Sequence, residues 1–142
     1  MSNMSNIKVK DVMKTQIDFV DGMKTVREAL NEMQHIETKA LIVKRRNKDD
    51  EVGMVVVADI AQKVLAKDLS PDRTNIYEVM TKPVITVHEN MDIRYCARLF
   101  DQFGLSRAPV TRDDEIVGIV SYTDMVLKGL CREIYNTPPQ AI

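Results

Sequence analysis

The stretch Ile116-Val117-Gly118-Ile119-Val120-Ser121-Tyr122-Thr123-Asp124-Met125-Val126 decides the fold, and residues 51–61 repeat its pattern. Gly118 lies 65 positions after its counterpart Gly53. In each stretch a β-branched run that contains a glycine predicts a buried strand with a close neighbour, since glycine has no Cβ to hold that neighbour off. An aspartate follows where a helix would begin, because its oxygens can accept from unpaired backbone N–H groups. The chain therefore predicts two copies of a strand that turns into a helix.

The repeat extends over most of the chain. The copies match at a shift of 67 positions (Val79 minus Val12) as far as Val43 and Val110. The shift then drops to 65, because the loop after Val43 is two residues longer than the loop after Val110. Identical residues recur in both copies, and the first copy supplies Val12, Met13, Val20, Arg27, Val43, Val52, Gly53, Val55, Asp59, Lys63 and Leu65. Several of these are core or turn positions, as a duplicated fold requires.

Composition narrows the class of protein. The chain has 142 residues, of which 44% are hydrophobic and 29% charged, which is typical of a globular protein long enough to bury a core. It contains no apolar run of membrane-spanning length, and its polar first residues predict no signal peptide, so we expect a cytoplasmic protein. A net charge of −1 gives no general attraction to nucleic acid or to anionic lipid.

The periodicity within each copy predicts a helical turn, a strand, a helix, two strands and a second helix. In the first copy, Thr25 to Glu28 has the spacing of a capping box, and an amphipathic helix follows it. The predicted elements are 9–13, 17–20, 26–33, 40–43, 52–57 and 60–66 in the first copy, with a strand at 84–87 and a last helix that continues through 127–135 in the second. The charged run at 44–51 predicts a solvated loop; its four bases are followed by three acids and no aromatic residue is interleaved, which argues against nucleic-acid binding.

The order Gly, two apolar residues, Ser or Thr, two residues, Asp resembles the signature of the cystathionine-β-synthase (CBS) domain family, whose domains occur in tandem pairs. The lead-ins at 9–13 and 76–80 are similar to the Asp-Val-Met lead-in of that family, and Arg107-Ala108-Pro109-Val110 is similar to its apolar-Pro-Val strand. The resemblance implies an α+β fold of two CBS domains, residues 8–67 and 75–135. Each would be a small three-stranded sheet with two helices, and the two would pack about a pseudo-twofold axis.

The resemblance also implies a cleft for an adenosine nucleotide in the second repeat. Asp124 would hold the ribose hydroxyls, while Ser121 and Thr123 would bind the phosphate or the ribose. Around them the resemblance places Val84 and Ile85 against the adenine, Arg107, Ala108 and Pro109 as the opposite wall, and Thr81 as a further ligand-binding residue. The alternative is that Asp124 and Thr123 only cap a helix and that the side chain of Arg107 is solvated.

The first repeat departs from this pattern. Val56 and Ala58 stand where the second repeat has its two hydroxyl residues, and Ile42 stands where it has Pro109. Asp59 remains, so a weaker second site would consist of Asp59, Ile17, Lys39 and Ala40. With both hydroxyls lost, a helix cap is the favoured interpretation of Asp59.

Motifs for catalysis are absent from the sequence: there is no P-loop, no dinucleotide-binding glycine turn and no zinc motif. We therefore expect a protein that is not an enzyme and that has no catalytic residues, no metal and no cofactor besides a regulatory ligand. The leading hypothesis is a module that binds an adenosine nucleotide, AMP first and ADP, ATP or S-adenosylmethionine next, and that signals to a separate protein partner. The alternative is a ligand-independent dimerisation or interaction module with a vestigial cleft. By resemblance to the family, a homodimer is expected in either case.

Overall fold

The computed structural model describes residues 7–130, which form two compact units. Unit N consists of residues 16–84, and unit C consists of the described residues 7–15 and 85–130. The units do not follow the boundaries of the sequence repeats, because the lead-in of each repeat belongs to the unit that contains the sheet of the other repeat. Each unit therefore draws on both halves of the chain.

Unit N contains a three-stranded sheet in the order β1 (Phe19–Val20), β2 (Ala40–Val43) and β3 (Gly53–Val56), with β1 parallel and β3 antiparallel to β2. The predicted capping box is confirmed, because Thr25 Oγ1 accepts from the Glu28 N–H at 3.1 Å and the Glu28 carboxylate accepts from the Thr25 N–H at 2.9 Å. The elements are β1 (Phe19–Val20), α2 (Val26–Glu32), β2 (Ala40–Val43), β3 (Gly53–Val56) and α3 (Val57–Ile60), which continues as a π-helical turn (Ala61–Leu65); short 3-10 turns lie at Ile36–Thr38 and Ile76–Glu78.

Unit C repeats this plan with a sheet in the order β4 (Val87–His88), β5 (Arg107–Arg112) and β6 (Glu115–Ser121). Again the first pair of strands is parallel and the second antiparallel. Its elements are α1 (Val9–Val12), β4 (Val87–His88), α4 (Ile93–Phe103), β5 (Arg107–Arg112), β6 (Glu115–Ser121) and α5 (Tyr122–Asp124), which continues as a π-helical segment (Met125–Leu130). Two three-stranded sheets with helices confirm the predicted α+β class.

Several predicted boundaries differ from the structure. The first strand of each sheet is two residues long, at 19–20 and 87–88, because only those residues pair with the neighbouring strand. The helix after β3 begins at Val57 and not at Ile60, since the backbone turns helical as soon as strand pairing ends at Val56. The end of the predicted last helix, beyond Leu130, lies outside the described residues.

Each unit has a hydrophobic core of its own. In unit C the core surrounds Phe100, which is fully buried, and in unit N it surrounds Leu41 and Ile76. Other buried residues of these two clusters are Ile7, Val9, Val12, Val87, Ile93, Cys96, Ala108, Val110, Val120 and Met125 in unit C, and Val20, Val26, Ala29, Val43, Val55, Ile60, Val64 and Val79 in unit N.

The repeated glycine is required by the lead-in segment of each unit. A Cβ on Gly118 would lie 2.7 Å from the carbonyl oxygen of Lys14, and a Cβ on Gly53 would lie 3.3 Å from that of Thr81. In unit C, Lys14 and Ile119 exchange two backbone hydrogen bonds of 2.9 Å directly beside this contact. The close neighbour that the glycines predicted is therefore the lead-in segment, which packs against the third strand of its sheet.

Candidate functional site

The predicted ribose acceptor, Asp124, lies at the first helical turn after β6 and is buried. Ser121 is the N-cap residue of this turn, and its Oγ accepts from the Asp124 N–H at 3.1 Å. In return, Asp124 Oδ2 accepts from the Ser121 N–H at 3.1 Å and from the Ser121 hydroxyl at 3.0 Å. The sequence predicted correctly that these two side chains lie together, and in this structure they bind each other in a capping box.

Two lysines contact the other oxygen of the same carboxylate. Lys14 Nζ donates to Asp124 Oδ1, and Lys128 Nζ lies 3.5 Å from that atom. Lys128 also donates to the carbonyl of Val12 at 3.3 Å, so it holds the lead-in helix and the carboxylate together. Neither lysine was predicted as a site residue from the sequence, although Lys128 is identical to Lys63 in the first repeat. Lys14 gave no signal, because its contact with Asp124 spans 110 positions of the chain.

Arg107 brings a third cation to this carboxylate. It lies in β5 directly opposite Ser121 in β6. Burial lowers the pKa of the Arg107 guanidinium, and the charge of Asp124 works in the opposite direction. The side chain is half-buried, so Arg107 is only partly solvated. The cluster of Asp124, Lys14, Lys128 and Arg107 thus carries three positive charges and one negative charge, which is an environment that attracts an anion.

The other residues predicted for this cleft lie at varied depths. Ala108 and Pro109 are buried in β5, whereas Thr123 and Ile85 are exposed. All four belong to unit C. Thr81 and Val84 belong to unit N.

In unit N the residues equivalent to this cluster are different. Val56 is the N-cap residue of α3 and provides no side-chain cap, and Asp59 lies in the first turn of that helix. The position of Lys14 is taken by Thr81, which exchanges backbone hydrogen bonds of 2.9 and 3.0 Å with Met54. Unit N does keep the hydrogen bond from a lysine to the lead-in segment, since Lys63 Nζ donates to the Val79 carbonyl at 2.9 Å.

The remaining residues of the predicted weaker site lie in unit N, at the same end of the sheet as Asp59. Ile17 precedes β1, Lys39 has a left-handed backbone (φ 57°) immediately before β2, and Ala40 is the first residue of β2 and is buried. Lys39 accepts from the Val57 N–H at 2.9 Å through its carbonyl oxygen, which fastens β2 to the start of α3.

The described residues form neither a metal-ligand cluster nor a membrane-spanning helix. Between residues 7 and 130, no three His, Cys, Asp or Glu side chains come together as metal ligands. No helix within that same range has the length and apolar character that crossing a bilayer requires.

Comparison with known sequences identifies a family. The family model described as the CBS domain matches residues 9–66 and 76–129. An uncharacterized protein of Methanopyrus kandleri is 25% identical over 124 residues, which cover 87% of this chain. The chain spans 63% of the length of that relative.

Solved structures show the same fold. The hexameric CBS-CP12 protein from bloom-forming cyanobacteria superposes with a TM-score of 0.83 at 32% identity, covering 89% of this chain and 70% of that one. The CBS domain pair of protein MJ0100, in complex with 5-methylthioadenosine and S-adenosyl-L-methionine, superposes with a TM-score of 0.68 at 26% identity. That match covers 84% of this chain and 92% of the MJ0100 pair.

Proposed function

The chain belongs to the CBS domain family, and on that premise we propose that it is a regulatory module that binds an adenosine-containing nucleotide at Asp124. The observation that carries the proposal is the cluster of three cations around this one buried carboxylate. AMP is the first candidate, followed by ADP, ATP and S-adenosylmethionine. The adenosine ligands bound by the MJ0100 pair support the ligand class.

The proposed binding mode is an exchange of donors at Asp124. Its carboxylate already accepts four contacts, two from Ser121 and two from the lysines, so a ribose diol has to replace an ammonium group on Oδ1. Lys14 and Lys128 retain 25% and 41% side-chain exposure, which leaves them room to move. A displaced ammonium would pair with the phosphate, and the half-buried Arg107 would add a charge-assisted hydrogen bond.

The adenine of the proposed ligand requires an apolar contact, and Ile85 is the predicted residue of unit C that is available for one. Its side chain is 37% exposed. Thr123, exposed in the turn that carries Asp124, offers a hydroxyl to the ribose or to the phosphate. Ala108 and Pro109 are buried in β5 and would support the wall without donating hydrogen bonds.

We propose that the chain signals to a separate protein partner and that it forms a homodimer. The homodimer requires an exposed apolar surface, and the described end of the last helix offers one. Val126, Leu127 and Leu130 are 46%, 47% and 58% exposed. We propose that this apolar face contributes to a homodimer, since burial of such a patch is the usual reason for its presence. Size-exclusion chromatography with light scattering would test this, and a monomer at tens of micromolar would contradict it.

One observation favours a second candidate function. Both carboxylate oxygens of Asp124 are already occupied by donors of the protein itself, as in a cleft that serves only to hold the lead-in segment and the last helix. The chain would then be an interaction module that needs no ligand. This candidate predicts that the stability of the chain is independent of nucleotides.

A thermal-shift and calorimetry screen separates the two candidates. AMP, ADP, ATP and S-adenosylmethionine would each be tested, with GMP as the control for recognition of the base. A ligand present at 100 times its dissociation constant raises the free energy of unfolding by about 2.7 kcal/mol. We expect an adenosine ligand to raise the melting temperature and GMP to raise it less. If none of the four has an effect at millimolar concentration, the interaction module is the better account.

A further inference from the structure

Unit N contains a cavity of about 910 Å³ at the end of its sheet that lies away from Asp59. Asp21, Lys44 and Glu51 line this cavity. The first two follow β1 and β2, and the third precedes β3. Because β1 and β2 run parallel to each other and antiparallel to β3, all three positions fall at one end of the sheet. Asp59 follows β3 and falls at the other end, so this cavity is separate from the weaker nucleotide site predicted for unit N.

Cations outnumber carboxylates in the lining. Lys44, Arg45, Arg46 and Lys82 contribute four positive charges against the negative charges of Asp21 and Glu51. Behind them, Asp50 accepts from Arg46 Nε at 3.1 Å and from Lys82 Nζ at 2.8 Å, which fixes both cations in place. These hydrogen bonds lower the pKa of Asp50. The charged run predicted as a solvated loop is thus exposed along much of its length, yet it also forms one wall of a cavity.

In unit C the end of the sheet that corresponds to this cavity is occupied by an ion pair. Arg112, the equivalent of Arg45, donates to the buried carboxylate of Glu89 at 2.6 and 2.9 Å. Glu89 corresponds to Gly22 at the shift of 67 positions, and the backbone contacts agree, since Lys10 donates to the Glu89 carbonyl as Tyr77 does to that of Gly22. Unit N therefore has open space where its sister unit places a carboxylate.

The comparison of the units points to a ligand, and we infer that this cavity of unit N binds a small anionic molecule through its phosphate or carboxylate group. The oxyanion would lie beside Gly22 and Lys44, where unit C has the carboxylate of Glu89. The volume is within the range typical of small-molecule sites, about 300 to 1,000 Å³. Tyr77 and Met23, which are 49% and 71% exposed, supply an apolar surface for the rest of the molecule.

Two variants of the cavity test the inference, and a third serves as the control. Gly22→Glu places a carboxylate in the space, and a Cβ there meets neighbours only at 3.4 Å or more, so the substitution fits the fold. Lys44→Gln removes one lining charge and keeps a polar side chain that is one atom shorter. Lys48→Gln removes the same charge from the same exposed loop, at a residue that does not line the cavity.

The measurement is a titration of the isotope-labelled full chain with inorganic pyrophosphate, and separately with citrate, followed by amide chemical shifts. We expect saturable shifts at Gly22, Met23 and Lys44 with at least one of the two anions, and the more effective anion identifies phosphate or carboxylate as the preferred group. Lys44→Gln should weaken binding by about tenfold or more, as expected for loss of a charged partner. Gly22→Glu should abolish binding, and Lys48→Gln should leave it unchanged.

Three results would overturn the inference. The first is the absence of saturable shifts at these amides with either anion up to about 10 mM, a concentration that detects even weak sites. The second is unchanged affinity in a folded Gly22→Glu variant. The third is an equal loss of affinity in Lys44→Gln and Lys48→Gln, which would indicate only general attraction to a charged loop. If Gly22→Glu does not fold, the comparison of the two lysine variants decides alone.

Discussion

Unit C and unit N share one scaffold and differ in the side chains around the aspartate that each places after its third strand. In both units a lysine of the helix that follows the third strand donates to a backbone carbonyl of the lead-in segment, at 3.3 Å in unit C and 2.9 Å in unit N. Only unit C adds the serine cap and the Lys14 contact on the carboxylate. The duplicated residues thus maintain the fold, while the unshared residues distinguish the two sites chemically.

The opposite ends of the two sheets also differ, again because unit C has side-chain contacts that unit N lacks. Unit C closes this end with the ion pair of Glu89 and Arg112, whereas unit N has Gly22, a longer loop and a cavity. Unit C therefore has interacting side chains at both ends of its sheet, whereas unit N lacks a side-chain cap at one end and has a cavity at the other. The comparison indicates that the duplicated scaffold has diverged at both ends of its sheets.

The largest effect on stability is expected from filling the glycine contact. Gly118→Ala places a Cβ 2.7 Å from the Lys14 carbonyl, which is backbone and cannot easily move, and we expect a loss of about 3 kcal/mol in the free energy of unfolding. Gly53→Ala meets the Sδ of Met80 at 2.9 Å, which is the flexible end of a side chain, and should cost about 1 kcal/mol. Urea denaturation of both variants measures the difference. Equal losses in the free energy of unfolding would contradict the prediction, because they would indicate that both glycine contacts are equally tight.

A smaller effect is expected from the helix cap that only unit C has. Ser121→Ala removes the acceptor of the Asp124 N–H and a donor to its carboxylate, and should cost about 1 to 2 kcal/mol. Val56→Thr offers the equivalent oxygen to the start of α3 in unit N and should raise stability by about 0.5 to 1 kcal/mol. Denaturation curves for the pair check this. A neutral Ser121→Ala would contradict the role of this serine in holding the aspartate.

The smallest effect concerns acid sensitivity. Hydrogen bonds from Arg112 lower the pKa of Glu89 in the folded state. A carboxyl group with a lowered pKa stabilises the fold above its unfolded pKa, about 4.3 for glutamate, and this contribution is lost as the pH falls below that value. Glu89→Gln should therefore lose less stability than the wild type between about pH 5 and pH 3. Glu115→Gln, at the exposed start of β6, is the control, and equal acid sensitivity in the wild type and Glu89→Gln would contradict the prediction.

Much of the fold was readable from the sequence, because the repeat and its hydrophobic periodicity report burial directly. The strand with its glycine, the capping box at Thr25 and the turn into a helix at Asp124 are local patterns, and the structure confirms each of them. The sequence did not predict that the lead-in of each repeat packs in the unit that contains the sheet of the other repeat. Aligning the two repeats shows which residues correspond, but it does not show which residues pack together.

The site was predicted less completely, for the same physical reason. Ser121 and Asp124 are three positions apart, so helix-capping rules connect them. Lys14 reaches that aspartate from the other end of the chain, and the space beside Gly22 becomes visible only when it is compared with Glu89 in the folded sister unit. Neither of these long-range relations leaves a periodic or spaced signal in the sequence.

The most direct test of the difference between the units is calorimetry of the adenosine ligand on Asp124→Ala and on Asp59→Ala. Thr123 provides an exposed hydroxyl donor where unit N has Ala58, and Lys14 provides an ammonium group where unit N has Thr81. Each hydrogen bond to a charged group contributes about 1.5 to 3 kcal/mol. We therefore predict one nucleotide per chain, loss of measurable binding in Asp124→Ala and nearly intact binding in Asp59→Ala. Two equal sites per chain, or a greater loss of binding in Asp59→Ala, would contradict the assignment of the ligand to unit C.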